Sequence, residues 1–436
     1  MSNIPMTRPQ ELLAVHGPAD FLPITFVERH DGRILGVSGT SFTTSDDGGM
    51  TWSEPFQRRD DGGDPVGGSA LVKLSGNGIG LMGVFSGPDR GLAFWRSEDG
   101  GDTWRPPRRI TPPAIDNVHT YKDMLLRTSS GRIVLPVYIG MGKGAGQYMN
   151  PGASAGPDGE SVPRVGKLVN GQWLHTHGHY FDPRFSCSAN YYSDDEGLTW
   201  QRNSDGELII PLDWNATFSY VNEPTVTEVE PGKLLMFMRT GLGRIFQAWS
   251  HDDGETWTRP QPTSLAASTT PAQIRTLPNG HLLAVWNQMS REEVMQGLSR
   301  TRLSSAISRN GGSVWEFFQN VESIHEETRV EPGPIQRGAP AEFHFEPGQS
   351  APVRDAAHIT PATNYGRWTY PSVLVMSDRV IIEYWYWEQD EHPTRAELRL
   401  QAREKMKVLP MTWFYGGKQP ADNPFLPRAG YQPTWG

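Results

Sequence analysis

Short apolar runs recur along the chain in pairs, each pair hinged on a turn of small or polar residues. The pairs span 24–37 around Asp31-Gly32, 70–84 around Gly76-Asn77-Gly78, 124–137 around Ser130-Gly131, 226–238 around Pro231-Gly232, 274–286 around Asn279-Gly280 and 373–385 around Ser377-Asp378. An apolar run, a two- to four-residue turn and a second apolar run predict a β-hairpin. Almost no window holds an apolar period of 3.6 over ten residues, so the pattern predicts strands throughout.

A second pattern follows five of these hairpins, a phrase of the form S-x-D-x-G-x-T-W. It runs from Ser45 to Trp52, Ser97 to Trp104, Ser193 to Trp200 and Ser250 to Trp257, with a worn copy from Ser308 to Trp315. Such a phrase suits a tight turn. Asp accepts backbone N–H bonds, Gly takes a conformation other residues resist, and Trp is expected to anchor the turn to its own sheet at the rim. Hairpin, phrase and a further strand make a four-stranded antiparallel unit, and six units predict an all-β, six-bladed β-propeller. The sixth unit lacks the phrase. Its outer strands are expected from 397–403 and 408–414, or from residues 11–15 at the N-terminus closing the ring. The whole of 1–436 reads as one domain, with insertions at about 140–185 and 321–369.

Composition agrees with this picture. The 436 residues include 47 Gly, 36 Pro and 15 Trp but are only 36% hydrophobic, which fits many short strands, tight turns and aromatic anchors. The net charge of −9 is dispersed, so nothing points to nucleic acid, although a local basic pocket is compatible with it. No apolar run approaches the roughly 18 residues of a membrane helix. The start, MSNIPMTRPQELLAV, has no basic stretch leading into an apolar core, so a cytoplasmic location and no membrane partner are expected. Cys187 is the only cysteine and reads as a small buried filler.

In a propeller the first strand of each blade begins at the mouth of the central channel, and those beginnings converge. They are Leu22-Pro23, Gly67-Gly68, His119 with Lys122 and Asp123, Asn222-Glu223, Thr270-Pro271, and Trp368 with Tyr370. Glu223 and Tyr370 are the pair with obvious chemistry.

On these residues the chain resembles the sialidase superfamily, whose repeated turn is the Asp-box. The resemblance implies a Glu at the start of blade four that activates a Tyr at the start of blade six. The phrases Asn222-Glu223-Pro224-Thr225 and Tyr370-Pro371-Ser372-Val373 fall there. It also implies three arginines that clamp a substrate carboxylate. Arg239 matches one and Arg300 another, with Arg302 a close competitor. The first family arginine is missing, since Phe21-Leu22-Pro23-Ile24 stands where a phrase of the type F-R-I-P is expected. The glutamate that would brace it falls near Tyr386, and Lys122 is the candidate replacement cation. The family's acid has no counterpart before the first Asp-box, which leaves Asp89, Asp123 and His119 as candidates.

The implied activity is an exo-acting glycoside hydrolase removing a terminal acidic sugar, needing no cofactor, with a carbohydrate as partner. In it Tyr370 is nucleophile, Glu223 base, and Arg239, Arg300, Lys122, Arg302 and Trp368 contact substrate. A hydrolase of other sugars, a lyase acting on uronates and a binding propeller without turnover are the rival readings. Each residue also has a plainer role open to it. Glu223 can pair with Arg239, Tyr370 can plug against Trp368, and Asp89-Arg90 can be a loop ion pair. His175, His177 and His179 share one strand face and invite a metal reading, but no cysteine or carboxylate completes a familiar set, so no metal is expected.

Overall fold

A computed structural model describes residues 14–15, 21–85, 91–112, 118–140, 165–169, 172–176, 186–204, 206–211, 218–219, 221–267, 270–290, 293, 300–333, 335, 366–388 and 403–417. Six antiparallel sheets, five of four strands and one of five, form the blades of a propeller. Blade one is Thr25–Glu28, Ile34–Ser38, Ser41–Ser45 and Phe56–Gln57; blade two is Ala70–Lys73, Ile79–Phe85, Gly91–Ser97 and Arg105–Arg109. In blade three the inner position is shared by two short strands, Val118–His119 and Leu126–Arg127, both paired with Ile133–Gly140. Ser186–Ser193 and Gln201–Arg202 complete it. Blade four is Asn222–Glu230, Lys233–Arg239, Arg244–Ser250 and Gln261–Ala266; blade five is Ala272–Thr276, Leu282–Asn287, Arg302–Ser308 and Glu316–Ser323.

Blade six takes its inner three strands from Gly366–Val375, Arg379–Glu388 and Arg403–Pro410, and its outermost from Ala14–Val15. The N-terminal alternative for the outer strand therefore holds. The third strand begins at Arg403 and ends at Pro410, not across 408–414, because Met411–Tyr415 turns into a 3-10 helix. That helix does for blade six what an Asp-box does elsewhere. Phe414 and Tyr415 are buried against blade five, and the Tyr415 hydroxyl lies 2.8 Å from Nδ1 of His281.

Each of the six hydrophobic clusters sits at a junction between two blades. A blade is therefore buried on both faces, which is why Ser186–Ser193 and Leu282–Asn287 are buried at every position and read as continuous rather than alternating runs. The Asp-box turns follow the third strand, which runs parallel to the first. They consequently lie on the face opposite the channel mouth.

Their bonding is as the sequence predicts. Asp47 accepts from the Thr51 amide at 2.9 Å and the Thr51 hydroxyl at 2.6 Å, while the Gly49 amide donates to Ser45 Oγ at 2.8 Å. Their packing is different. Trp52 does pack on its own sheet, against Phe26 with centroids 6.4 Å apart, but three other tryptophans reach the preceding blade. Trp104 packs on Phe42 of blade one, Trp200 on Phe94 of blade two and Trp315 on Phe237 of blade four, with centroids 5.8, 5.1 and 5.7 Å apart. Trp257 donates its indole N–H to Asn190 of blade three at 2.7 Å. The glycine of the third turn has no room for a side chain. A Cβ on Gly197, whose φ is +84°, would stand 2.1 Å from Phe94.

Candidate functional site

Two bulges build the site. In blade four the register passes from Asn222 opposite Arg239 to Thr225 opposite Phe237, one residue extra on the inner strand. In blade six it passes from Thr369 opposite Trp385 to Ser372 opposite Glu383, again one extra. Glu223-Pro224 occupies the first bulge and Tyr370-Pro371 the second. A proline cannot donate to a ladder and is tolerated at a bulge, where an inner strand can re-aim one side chain. Both aimed residues take the left-handed backbone that non-glycine residues avoid, with φ of 41° at Glu223 and 57° at Tyr370. Arg300 and Asp123, also at strand beginnings, have φ of 63° and 58°. Strain of this kind costs about 1–3 kcal/mol per residue and persists only where the surroundings impose it.

The bulges bring the two side chains together. The Tyr370 hydroxyl donates to Glu223 Oε1 at 3.3 Å, with the residues 8% and 2% exposed. Arg239 reaches both from the neighbouring strand, pairing with Glu223 Oε2 and donating to the Tyr370 oxygen at 3.3 Å. The plain role of Glu223 as partner of Arg239 is thus real, and the contact to Tyr370 exists beside it. The guanidinium of Arg300 lies over the Tyr370 ring, its carbon 5.0 Å from the centroid.

Two aromatic residues that are not among the expected site residues complete the surroundings of Tyr370. The Tyr121 ring is 4.3 Å from it and the Trp385 ring 5.2 Å. Tyr121 immediately precedes Lys122, and Trp385 lies in the aromatic run 384–387, so both were visible as residues. What was not visible was which blade faces they share. Burial pushes the Tyr121 phenol well above its ordinary range.

Other expected site residues have different employment. Lys122 is 2% exposed and its ammonium sits on Glu383 Oε2 at 2.5 Å and over the Trp385 ring at 5.2 Å. Burial pushes the Glu383 carboxyl up to about 7 and the Lys122 ammonium down, with their contact opposing both. A carboxylate does stand on this strand, three residues before Tyr386. Asp123 is 6% exposed and holds the propeller axis. It accepts from Arg275 Nη2 at 2.7 Å, the Val373 amide at 2.8 Å and the Thr25 hydroxyl at 3.3 Å, joining blades one, three, five and six. A carboxylate so engaged is poorly placed to deliver a proton to a substrate. Burial pushes it up, against the pull of Arg275.

Arg302 is 1% exposed and forms a fork with Glu293 at 2.9 and 3.1 Å, so a substrate does not meet its guanidinium. The Trp368 ring is buried in the cluster between blades five and six, which makes it wall rather than platform. His119 is exposed at the mouth, its ring 5.3 Å from that of Tyr138. Asp89 lies outside the described residues, as do His177 and His179. At the start of blade one Leu22 and Pro23 are buried, and no cation stands in that phrase. Burial pushes the Cys187 thiol up to about 12, in keeping with a filler. Among the described residues no group of three His, Cys, Asp or Glu gathers in a way that could hold a metal ion.

Comparison with known proteins finds the same architecture. The family described as BNR repeat-like domain matches residues 163–382. A Hadza microbial sialidase superposes with a TM-score of 0.53 at 15% identity, covering 90% of this chain and 66% of that one. The intramolecular trans-sialidase of Ruminococcus gnavus, in complex with oseltamivir carboxylate, gives 0.52 at 13%, covering 92% and 96%. A protein of unknown function from Dyadobacter fermentans gives 0.50 at 17%, covering 91% and 97%. At these identities the likeness is one of fold.

Proposed function

The chain belongs to the BNR repeat-like family of sialidase-type six-bladed propellers, and from that premise we propose that it is an exo-acting glycoside hydrolase that removes a terminal acidic sugar. Tyr370 Oη attacks the anomeric carbon and passes its proton to Glu223. The glycosidic C–O bond breaks, and the departing oxygen takes a proton from an acid at the mouth. Water then attacks the anomeric carbon and gives its proton to the group at the mouth that lost one, while the tyrosyl–sugar bond breaks and the Tyr370 oxygen takes its proton back from Glu223. A neutral phenol suits an anomeric centre beside a carboxylate, which would repel an Asp or Glu nucleophile. Arg239 and Arg300 supply positive charge for that carboxylate. His119, exposed where blade three begins, is the acid this reading favours among the described candidates.

The observation that carries the reading is the 3.3 Å contact of the Tyr370 hydroxyl with Glu223, made by two buried residues in left-handed backbone. Buried charge and local strain gathered at one spot are a mark of functional sites. Glu223→Gln and Tyr370→Phe should each lower kcat on aryl glycosides of acidic sugars by about 10² or more, with folding intact by circular dichroism. Turnover at the parent rate in either variant excludes the assignment. The apolar start of blade one, Leu22-Pro23, favours one second reading, a lyase acting on a uronate. Such an enzyme would release an unsaturated product absorbing in the near ultraviolet.

A further inference from the structure

Arg300 is placed against the phenol itself. Its backbone is left-handed, with φ of 63°, and its carbonyl accepts the Trp368 amide at 2.9 Å, which ties the start of the blade-five strand to the strand that carries Tyr370. Two residues on, Arg302 is pinned by Glu293, and the Thr301 hydroxyl lies 3.0 Å from Nε2 of His325. The segment holding Arg300 is thereby fixed, and its guanidinium carbon rests 5.0 Å from the centre of the Tyr370 ring. Tyr121 and Trp385 crowd the same ring, and Tyr370 is 8% exposed.

A cation over an aromatic face is attracted by the ring's electrons, and the attraction grows where water is excluded. It grows further when the ring becomes electron-rich, as a phenol does while its proton passes to Glu223. We propose that Arg300 has a second role beyond facing a substrate carboxylate. Through its charge on the ring it stabilises the negative charge that develops on Tyr370 as the nucleophile forms. Arg300 is then a positioning residue acting through Tyr370, and this inference rests on the reading of Tyr370 as nucleophile. The charge matters here, and the bidentate fork does not. Lysine in its place should retain much of the effect, whereas at a carboxylate clamp lysine is a poor substitute.

The test needs no sugar. Phenylmethanesulfonyl fluoride captures an activated phenol: the phenolic oxygen bonds to sulfur, fluoride leaves, and the phenol's proton goes to the neighbouring base. The rate at which Tyr370 is labelled is read by peptide mass spectrometry in the parent and in Arg300→Gln, Arg300→Lys and Glu223→Gln, each first shown to melt like the parent. The inference expects labelling about tenfold slower in Arg300→Gln and within about threefold of the parent in Arg300→Lys. Parent-like labelling in Arg300→Gln, with Glu223→Gln slowed, overturns the role of Arg300 and leaves the nucleophile standing. Equal loss in the Gln and Lys variants overturns it too, since charge alone then does not suffice. A parent in which Tyr370 is not labelled overturns both.

Discussion

Glu223 and Tyr370 are each followed by a proline, Pro224 and Pro371. The proline sits in a bulge, and the bulge turns the preceding side chain toward the axis. Asp123 was equally visible, and a catalytic role for it was read from position alone. Its partner Arg275 lies 152 residues away, so no local pattern could reveal that the carboxylate is engaged across the axis. The structure makes a distinct prediction for it. Asp123→Ala leaves Arg275 without its carboxylate in a largely buried place, which should lower the free energy of unfolding by about 3–5 kcal/mol in a denaturant titration. A variant as stable as the parent would return Asp123 to the list of candidate acids. Lys122 and Glu383 teach the same lesson. They are 261 residues apart, and only folding makes them neighbours.

At the scale of the element, the Asp-box was readable almost atom for atom within its own eight residues. Its role between blades was not, because the residues that Gly197, Trp104, Trp200 and Trp315 touch belong to the blade before. Gly197→Ala tests that role. The new Cβ meets Phe94 of blade two and the backbone stays at a φ of +84°, so the thermal midpoint should fall by several degrees or more. An unchanged midpoint would mean that the turn is free of its neighbour. The aspartates offer a second test. Burial pulls Asp47, Asp99, Asp195 and Asp252 upward, but hydrogen bonds within each turn outweigh it and hold all four below the usual 3.8. A carboxyl depressed by folding contributes stability above its unfolded value and loses it as the pH falls through the folded one. The parent should therefore melt above an Asp99→Asn variant at pH 6, and the gap should close below about pH 4. A gap that persists into acid would assign the difference to something other than the charge.

The whole molecule is held by six junctions and one closure. Blade six is assembled from both ends of the described chain, with Ala14–Val15 pairing Met406 and Lys407 and Val15 buried in the cluster shared with blade one. Removing residues 1–15 would leave the edge of Arg403–Pro410 unpaired. A lower thermal midpoint and association on size-exclusion chromatography are expected, and a monodisperse truncation with the parent's midpoint would contradict this. The amino-acid sequence by itself determined the number of blades, the hairpins, the bonding inside each Asp-box and the apolar start of blade one. All of these are written in stretches of a few residues, where backbone geometry and side-chain type act locally. Only the tertiary structure decided that Tyr370 meets Glu223, that Arg300 lies on the phenol, that Lys122 is spent on Glu383 and that Asp123 joins four blades. Those contacts cross the ring, and distance along the chain says nothing about them until the last blade closes on the first.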